Sequence, residues 1–339
     1  MRLTRRQFVG ASSAWLTARA VSARLARADD RSELLNWPAQ VFQAPSATPR
    51  DRPPVLTCVD IHPRETVFAA AGDDHRVYLW NYEKRELTAA FRGHNDWVRS
   101  VVFSPDGQIL ASAGADRRVI CWDATTGEVI HVMSDPRHVV TRLAWSPDGA
   151  RIAGVGFEKR LRVYDRATWS LALHLDCPCT DMRAVTFSPD GKRLAAAGRS
   201  GAVRIWGMGQ GVMEYEYRAH RQRVHAVAFS PNGEYLVTTG EDRFIHVHGV
   251  ESDDEGFDLP DSRAKILAFT FYGPHHLATG GSDNYVRLWD LQERREVGHL
   301  SGAEGSVAAL ACRDQVLVAT SFDTKARVWV LAHQVAQKT

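Results

Sequence analysis

The chain has 339 residues, 44% of them hydrophobic, which is enough apolar material for a large core in one domain built from repeats. Its formal charge is +2, but residues 1–28 hold six arginines and no acid, so the remainder carries 36 basic against 40 acidic groups. That balance argues against general nucleic-acid binding, and no stretch reaches the roughly 18 apolar residues needed for stable membrane insertion.

At the N-terminus, Thr4-Arg5-Arg6-Gln7-Phe8-Val9 resembles the bacterial twin-arginine export motif, in which Ser or Thr precedes two arginines, any residue and Phe. A weakly apolar stretch from Phe8 to Ala18 follows, then Ala26-Arg27-Ala28, small at the two positions a signal peptidase reads. The resemblance implies an export signal over residues 1–28, with Arg5 and Arg6 as the recognised pair and a periplasmic or secreted mature protein. Arg19 and Arg24 fall late for such a signal, which leaves open an organellar presequence or an uncleaved tail on a cytoplasmic protein. Residues 29–54 read as a linker, Pro-rich at its end (Pro45, Pro49, Pro53, Pro54). Within it, Trp37-Pro38-Ala39-Gln40-Val41-Phe42 can make one short edge strand.

A short turn then recurs on a fixed period. Ser104-Pro105-Asp106-Gly107 returns as Ser146-Pro147-Asp148-Gly149, Ser188-Pro189-Asp190-Gly191 and Ser230-Pro231-Asn232-Gly233, each copy 42 residues after the last. Trp80, Trp122, Tyr164, Trp206 and His248 keep the same step, and Trp289 and Trp329 follow after 41 and 40. Two independent markers on one period make the chain a tandem array. In the unit at 97–133, Val98 to Phe103 is an apolar strand that ends in the Ser-Pro-Asp-Gly turn. Ile109 to Ala113, Val119 to Trp122 and Glu128 to Met133 supply three more strands. Four short antiparallel strands cannot bury both faces alone, whereas stacking such sheets around a closed ring can. The predicted fold is therefore all-β, a seven-bladed propeller over residues 55–332 with a tail at 333–339. The seventh unit ends near Leu331 without a fourth strand, and the segment from Trp37 to Phe42 is predicted to fill that vacancy.

From Val55 to Leu331 the chain resembles the WD-repeat β-propellers, on the strength of Gly93-His94, the Ser-Pro-Asp-Gly turns, Trp122-Asp123 and Trp289-Asp290. The resemblance implies a buried hydrogen-bonded set in each blade: a His before the first strand, a Ser or Thr on the second, an Asp in the next turn, and the Trp. It is complete at His94, Ser112, Asp116 and Trp122. The fifth unit has His220, Thr238 and Asp242, with His248 where Trp is expected. The turn acid persists as Asp74, Glu158, Asp283 and Asp323 but is Ser200 in the fourth unit. A Ser, His and Asp in one repeat invite a nucleophilic-triad reading; their periodic recurrence favours a structural lock.

Other candidates are weaker. Cys58, Cys121 and Cys312 occupy apolar strand positions and read as small core residues, and a single Cys177-Pro178-Cys179 has no second pair to build a zinc site. The residue expected where each innermost strand begins reads Thr57, Arg99, Thr141, Arg183, His225, Leu267 and Ala308, which is no metal-ligand ring. The adjacent His275-His276 reads as an exposed loop, and the acidic run Glu251 to Glu255 as a solvated one. The family register places Trp97, Arg99, Arg183, Arg223, His225 and Lys265, with Arg76, Arg117, Lys159 and Arg243, on one side of the disc. Trp and Arg are the residue types that anchor interfaces, and clustered positive charge speeds encounter with an anionic partner. The function expected is that of a monomeric, non-catalytic scaffold for a protein partner, with an acidic peptide segment as the suited ligand and no cofactor. An exported enzyme working at the channel mouth is the competing class.

Overall fold

A unit of alternating apolar strands closed by tight turns dictates a small antiparallel sheet. In the computed structural model the described residues are 34–35, 37–46, 51–133, 138–178, 180–250, 256–260 and 262–331. The expected signal with Arg5 and Arg6, together with Cys179, the run from Glu251 to Glu255 and the tail at 333–339, lies outside them. Among the described residues there is no helix, and the strands form seven sheets. The second blade runs Val98–Phe103, Ile109–Gly114, Val119–Asp123 and Val129–Met133.

The repeated turn locks itself. Gly107 N–H donates to the Ser104 carbonyl at 2.8 Å, the Ser104 hydroxyl donates to Asp106 at 2.5 Å, and Ile109 N–H donates back to Ser104 Oγ at 3.0 Å. Gly107 sits at φ 78°, the left-handed region where glycine carries no steric cost. The same bonds recur around Ser146, Ser188 and Ser230. The first unit has His62-Pro63 instead. Its imidazole Nδ1 accepts the amides of Arg64 and Glu65, and Nε2 donates to the Gly107 carbonyl of the next blade at 3.0 Å.

Neighbouring blades share apolar flanks. Between the first and second, Phe91, Val98 and Val101 pack around Trp122, whose ring centroid lies 5.4 Å from that of Phe91. Side chains stitch adjacent innermost strands near the axis: Phe103 N–H donates to Asp60 at 2.7 Å, Leu143 N–H to Ser100 at 3.1 Å, and Thr141 Oγ1 to the Met182 carbonyl at 2.7 Å.

The ring is fastened by the chain's early segment. Gln40–Gln43 runs antiparallel to Lys325–Val330 and completes the seventh blade, pairing Phe42 with Ala326. Phe42 is buried and meets Phe68 of the first blade edge-on at 5.2 Å. This strand starts three residues beyond the predicted Trp37, past Pro38, which has no N–H to give a ladder. Leu34–Leu35 was not foreseen. It adds a parallel fifth strand to the sixth blade beside His299 and Leu300 and buries Leu35 in the core shared with the seventh. Contrary to the loop reading, His276 opens the second strand of the sixth blade, half-buried with its ring 5.3 Å from Tyr272.

Candidate protein-interaction face

One hydrogen bond recurs in every blade and defines a face. The N–H of the residue after the second strand donates to the carbonyl just before the first, as in Ala115 to Trp97 at 2.8 Å and Arg199 to Asp181 at 2.9 Å. Asp73 to Val55, Phe157 to Val139, Glu241 to Arg223, Ser282 to Lys265 and Phe322 to Ser306 complete the set. The loops entering each first strand and those joining second to third strands therefore lie side by side. The close approach has a sequence cause in glycine: a Cβ at Gly114 would sit 2.3 Å from the Trp97 carbonyl oxygen. Gly114 thus helps to set the position of Trp97.

On this face Trp97 is 48% exposed, with the Arg99 guanidinium 5.2 Å from its ring centroid. Arg99 Nε is buried without a hydrogen-bond partner, and burial followed by repulsion from Arg183 lowers the arginine's pKa. Arg183 lies 4.6 Å over the ring of Phe157, which is itself exposed, as is Phe322 in the matching turn of the seventh blade. Arg117, Lys159, Arg243 and Lys265 are exposed in the surrounding loops, while Arg76 is half-buried. The face is less cationic than its arginines alone suggest. Asp181 pairs with Arg183 at 2.5 Å and with Arg223 at 3.4 Å, and Glu241 pairs with Arg223 at 3.2 Å and with His225 at 3.5 Å. Burial lowers the His225 pKa, Glu241 opposes this, and Arg223 and Arg183 lower it further.

Sequence reasoning missed Phe157, Phe322, Asp181 and Glu241. The acids had one available signal: each lies in a loop of the same face as the arginine it neutralises.

At the axis, Thr57, Arg99, Thr141, Arg183, His225 and Leu267 line a cavity of about 140 Å³ together with Arg142. Larger open grooves of about 700 and 720 Å³ lie on the opposite face, between the third and fourth and the fourth and fifth blades. They are lined by Ser-Pro-Asp-Gly turn residues and contain none of the candidate interface residues. Among the described residues no group of three or more His, Cys, Asp or Glu could hold a metal ion. Cys58, Cys121 and Cys177 are buried and Cys312 half-buried.

The triad-like set is enclosed. His94 Nδ1 meets Asp116 at 2.8 Å, Nε2 meets Ser112 Oγ at 2.7 Å, and Trp122 Nε1 donates to the same hydroxyl at 2.8 Å. Ser112 is fully buried, so no substrate can reach it. In the fifth blade His220 joins Asp242 and Thr238, each at 2.8 Å, while His248 instead packs 4.7 Å from Tyr217. Blades lacking the His recruit the residue two before the anchor. Tyr78 donates to Asp74 at 2.5 Å, Arg162 to Glu158 at 2.8 Å, Arg287 to Asp283 at 2.5 Å and Arg327 to Asp323 at 2.7 Å. In the fourth blade, where Ser200 replaces the acid, Arg204 turns to Glu216 at 2.6 Å.

Residues 49–81, 85–123, 127–165, 169–207, 211–248 and 264–290 match the WD domain, G-beta repeat pattern. Shorter stretches are similar to curated proteins: 36% identity over 74 residues to mitochondrial division protein 1 of Mycosarcoma maydis, and 30% over 89 to a U3 snoRNP-associated protein-like sequence of Arabidopsis thaliana. The human serine-threonine kinase receptor-associated protein is 28% identical over 71 residues. These alignments take in 22%, 26% and 21% of this chain and 9%, 18% and 18% of the respective relatives, so the chain spans less than a fifth of each.

Replacing His94 with Ala leaves Ser112 and Asp116 short of a buried partner. The expected cost is about 2–4 kcal/mol in urea unfolding; a loss below about 0.5 kcal/mol would contradict the structural role.

Proposed function

Because the chain belongs to the WD domain, G-beta repeat family, we propose that it is a non-catalytic protein-interaction scaffold whose partner docks on the face around Trp97. The carrying observation is the half-exposed Trp97 indole backed by Arg99, with Phe157 held under Arg183 on the same face. Large flat side chains lose little conformational freedom on binding, and arginine over an aromatic ring is already oriented for a carboxylate. An acidic segment with an apolar residue suits such a surface. Two of the similar proteins bear names that describe association, with a kinase receptor and with a snoRNP, which supports the class of function.

The enzyme reading draws on the perturbed Arg99 and His225 at the channel mouth, because shifted groups cluster in active sites. Burial is the leading cause of both shifts, and about 140 Å³ is small beside the roughly 300–1,000 Å³ of ordinary small-molecule sites. The scaffold is therefore the favoured reading.

Affinity capture from the expressing cell with wild type beside a Trp97→Ala/Arg183→Ala variant tests the face. The variant is expected to lose at least tenfold of a partner held by wild type; equal recovery would contradict the assignment. Export by the twin-arginine route belongs to the same proposal. Changing Arg5 and Arg6 together to Lys is expected to retain the precursor inside the cell, and normal export of that variant would contradict it.

A further inference from the structure

The channel beneath the docking face has residues that the scaffold reading does not use. The third residue of each first strand is small or uncharged in six blades (Cys58, Ser100, Ala184, Ala226, Ala268, Ala309) and is Arg142 in the third. Taking a guanidinium out of water is costly unless an anion compensates it. Half-buried Arg142 nevertheless lines the axial cavity beside Arg99 and Arg183 with no carboxylate within ion-pair distance among the described residues; burial lowers its pKa, and the charges of Cys58 and Asp60 offset this only in part. Arg99 adds a second guanidinium without an ion-pair partner and a buried Nε without a hydrogen bond.

The neighbouring acids are already engaged. Asp181 serves Arg183 and Arg223, and Glu241 serves Arg223 and His225. Asp60, facing Arg142 from the first blade, accepts the amides of Ile61 at 2.9 Å and Phe103 at 2.7 Å, and burial pushes its pKa up to about 6. The threonines at the rim are also occupied, since Thr57 Oγ1 donates to the Val98 carbonyl and Thr141 Oγ1 to those of Val155 and Met182. The groups with donors to spare are thus guanidinium forks, whose planar geometry matches carboxylate and phosphate oxygens.

From this convergence we infer that the axial cavity is an oxyanion site, taking one phosphate- or carboxylate-sized group between Arg99 and Arg142. At the open channel mouth, about 140 Å³ beside the guanidiniums leaves room for one tetrahedral oxyanion. The group can arrive as a free anion or at the tip of a partner's side chain. The site shares Arg99 with the docking face but takes Arg142 from the channel alone, and it is read out with small probes rather than with a partner protein.

Calorimetric titration of the full chain with inorganic phosphate, and separately with a phosphoserine hexapeptide, tests the site. Saturable one-to-one binding is expected, weakened at least tenfold by Arg142→Gln and by Arg99→Gln and unchanged by Lys192→Gln on the opposite face. Circular dichroism checks that each variant is folded. Arg99→Lys, which keeps the charge and loses the fork, is expected to weaken binding less than Arg99→Gln. Tighter binding of the peptide assigns the group to a partner, and equal or weaker binding assigns it to a free anion; either result retains the site. Absence of saturable binding with both probes, or binding that survives both Gln substitutions, overturns it. Because no partner protein is present, a failed capture experiment leaves this result unaffected, and the converse also holds.

Discussion

Each of the seven sheets has two apolar faces and only its neighbours to cover them. Trp122 is buried because Phe91 of the first blade presses on it, and Trp80 lies in one core with Ala309 and Val318 of the seventh blade. That arrangement succeeds only if the last blade also meets the first. Phe42, from a strand that precedes the first blade in sequence, belongs to the core containing Phe68, Trp80 and Val328. Hydrophobic burial favours stacking in general, and the antiparallel ladder between Gln40–Gln43 and Lys325–Val330 specifies which ends meet.

A rigid ring lets loop residues act as a surface. The recurring bond between the two loops of each blade, with glycine at the close approach in six of the seven, sets Trp97 and Phe157 on the same face, while Arg99 and Arg183 lie over their rings. The buried sets of His94 and His220 fix the turns from inside, and in other blades Arg162, Arg287, Arg327 and Tyr78 do the same from a different backbone position. Polar groups that rigidify the blades thus leave the exposed loops free to vary in sequence.

Much of this was legible in the chain. The 42-residue step of Ser-Pro-Asp-Gly and Trp marked the blades because turn chemistry and core packing each demand particular residue types. His94, Ser112, Asp116 and Trp122 were legible because their order along the chain is that of the family. Arg162, Arg287 and Arg327 were not, since an arginine on a strand usually points to solvent, and only folding shows it reaching the turn acid four residues earlier. Asp181 and Glu241 were overlooked because they sit in loops with no periodic marker: Asp181 meets Arg183 two residues on and Arg223 of the next blade 42 residues on, while Glu241 meets Arg223 from the other loop of its own blade. Leu34–Leu35 is too short a strand to carry a period at all.

The central claim is that the ring closes through Phe42, and Phe42→Ala tests it most directly when amide hydrogen exchange is followed across the whole chain. The account predicts a loss of about 3–5 kcal/mol, with protection falling together in Lys325–Val330 and in the first-blade strands Leu56–Ile61 and Val67–Gly72. Faster exchange confined to Gln40–Gln43, with protection elsewhere unchanged, would contradict it.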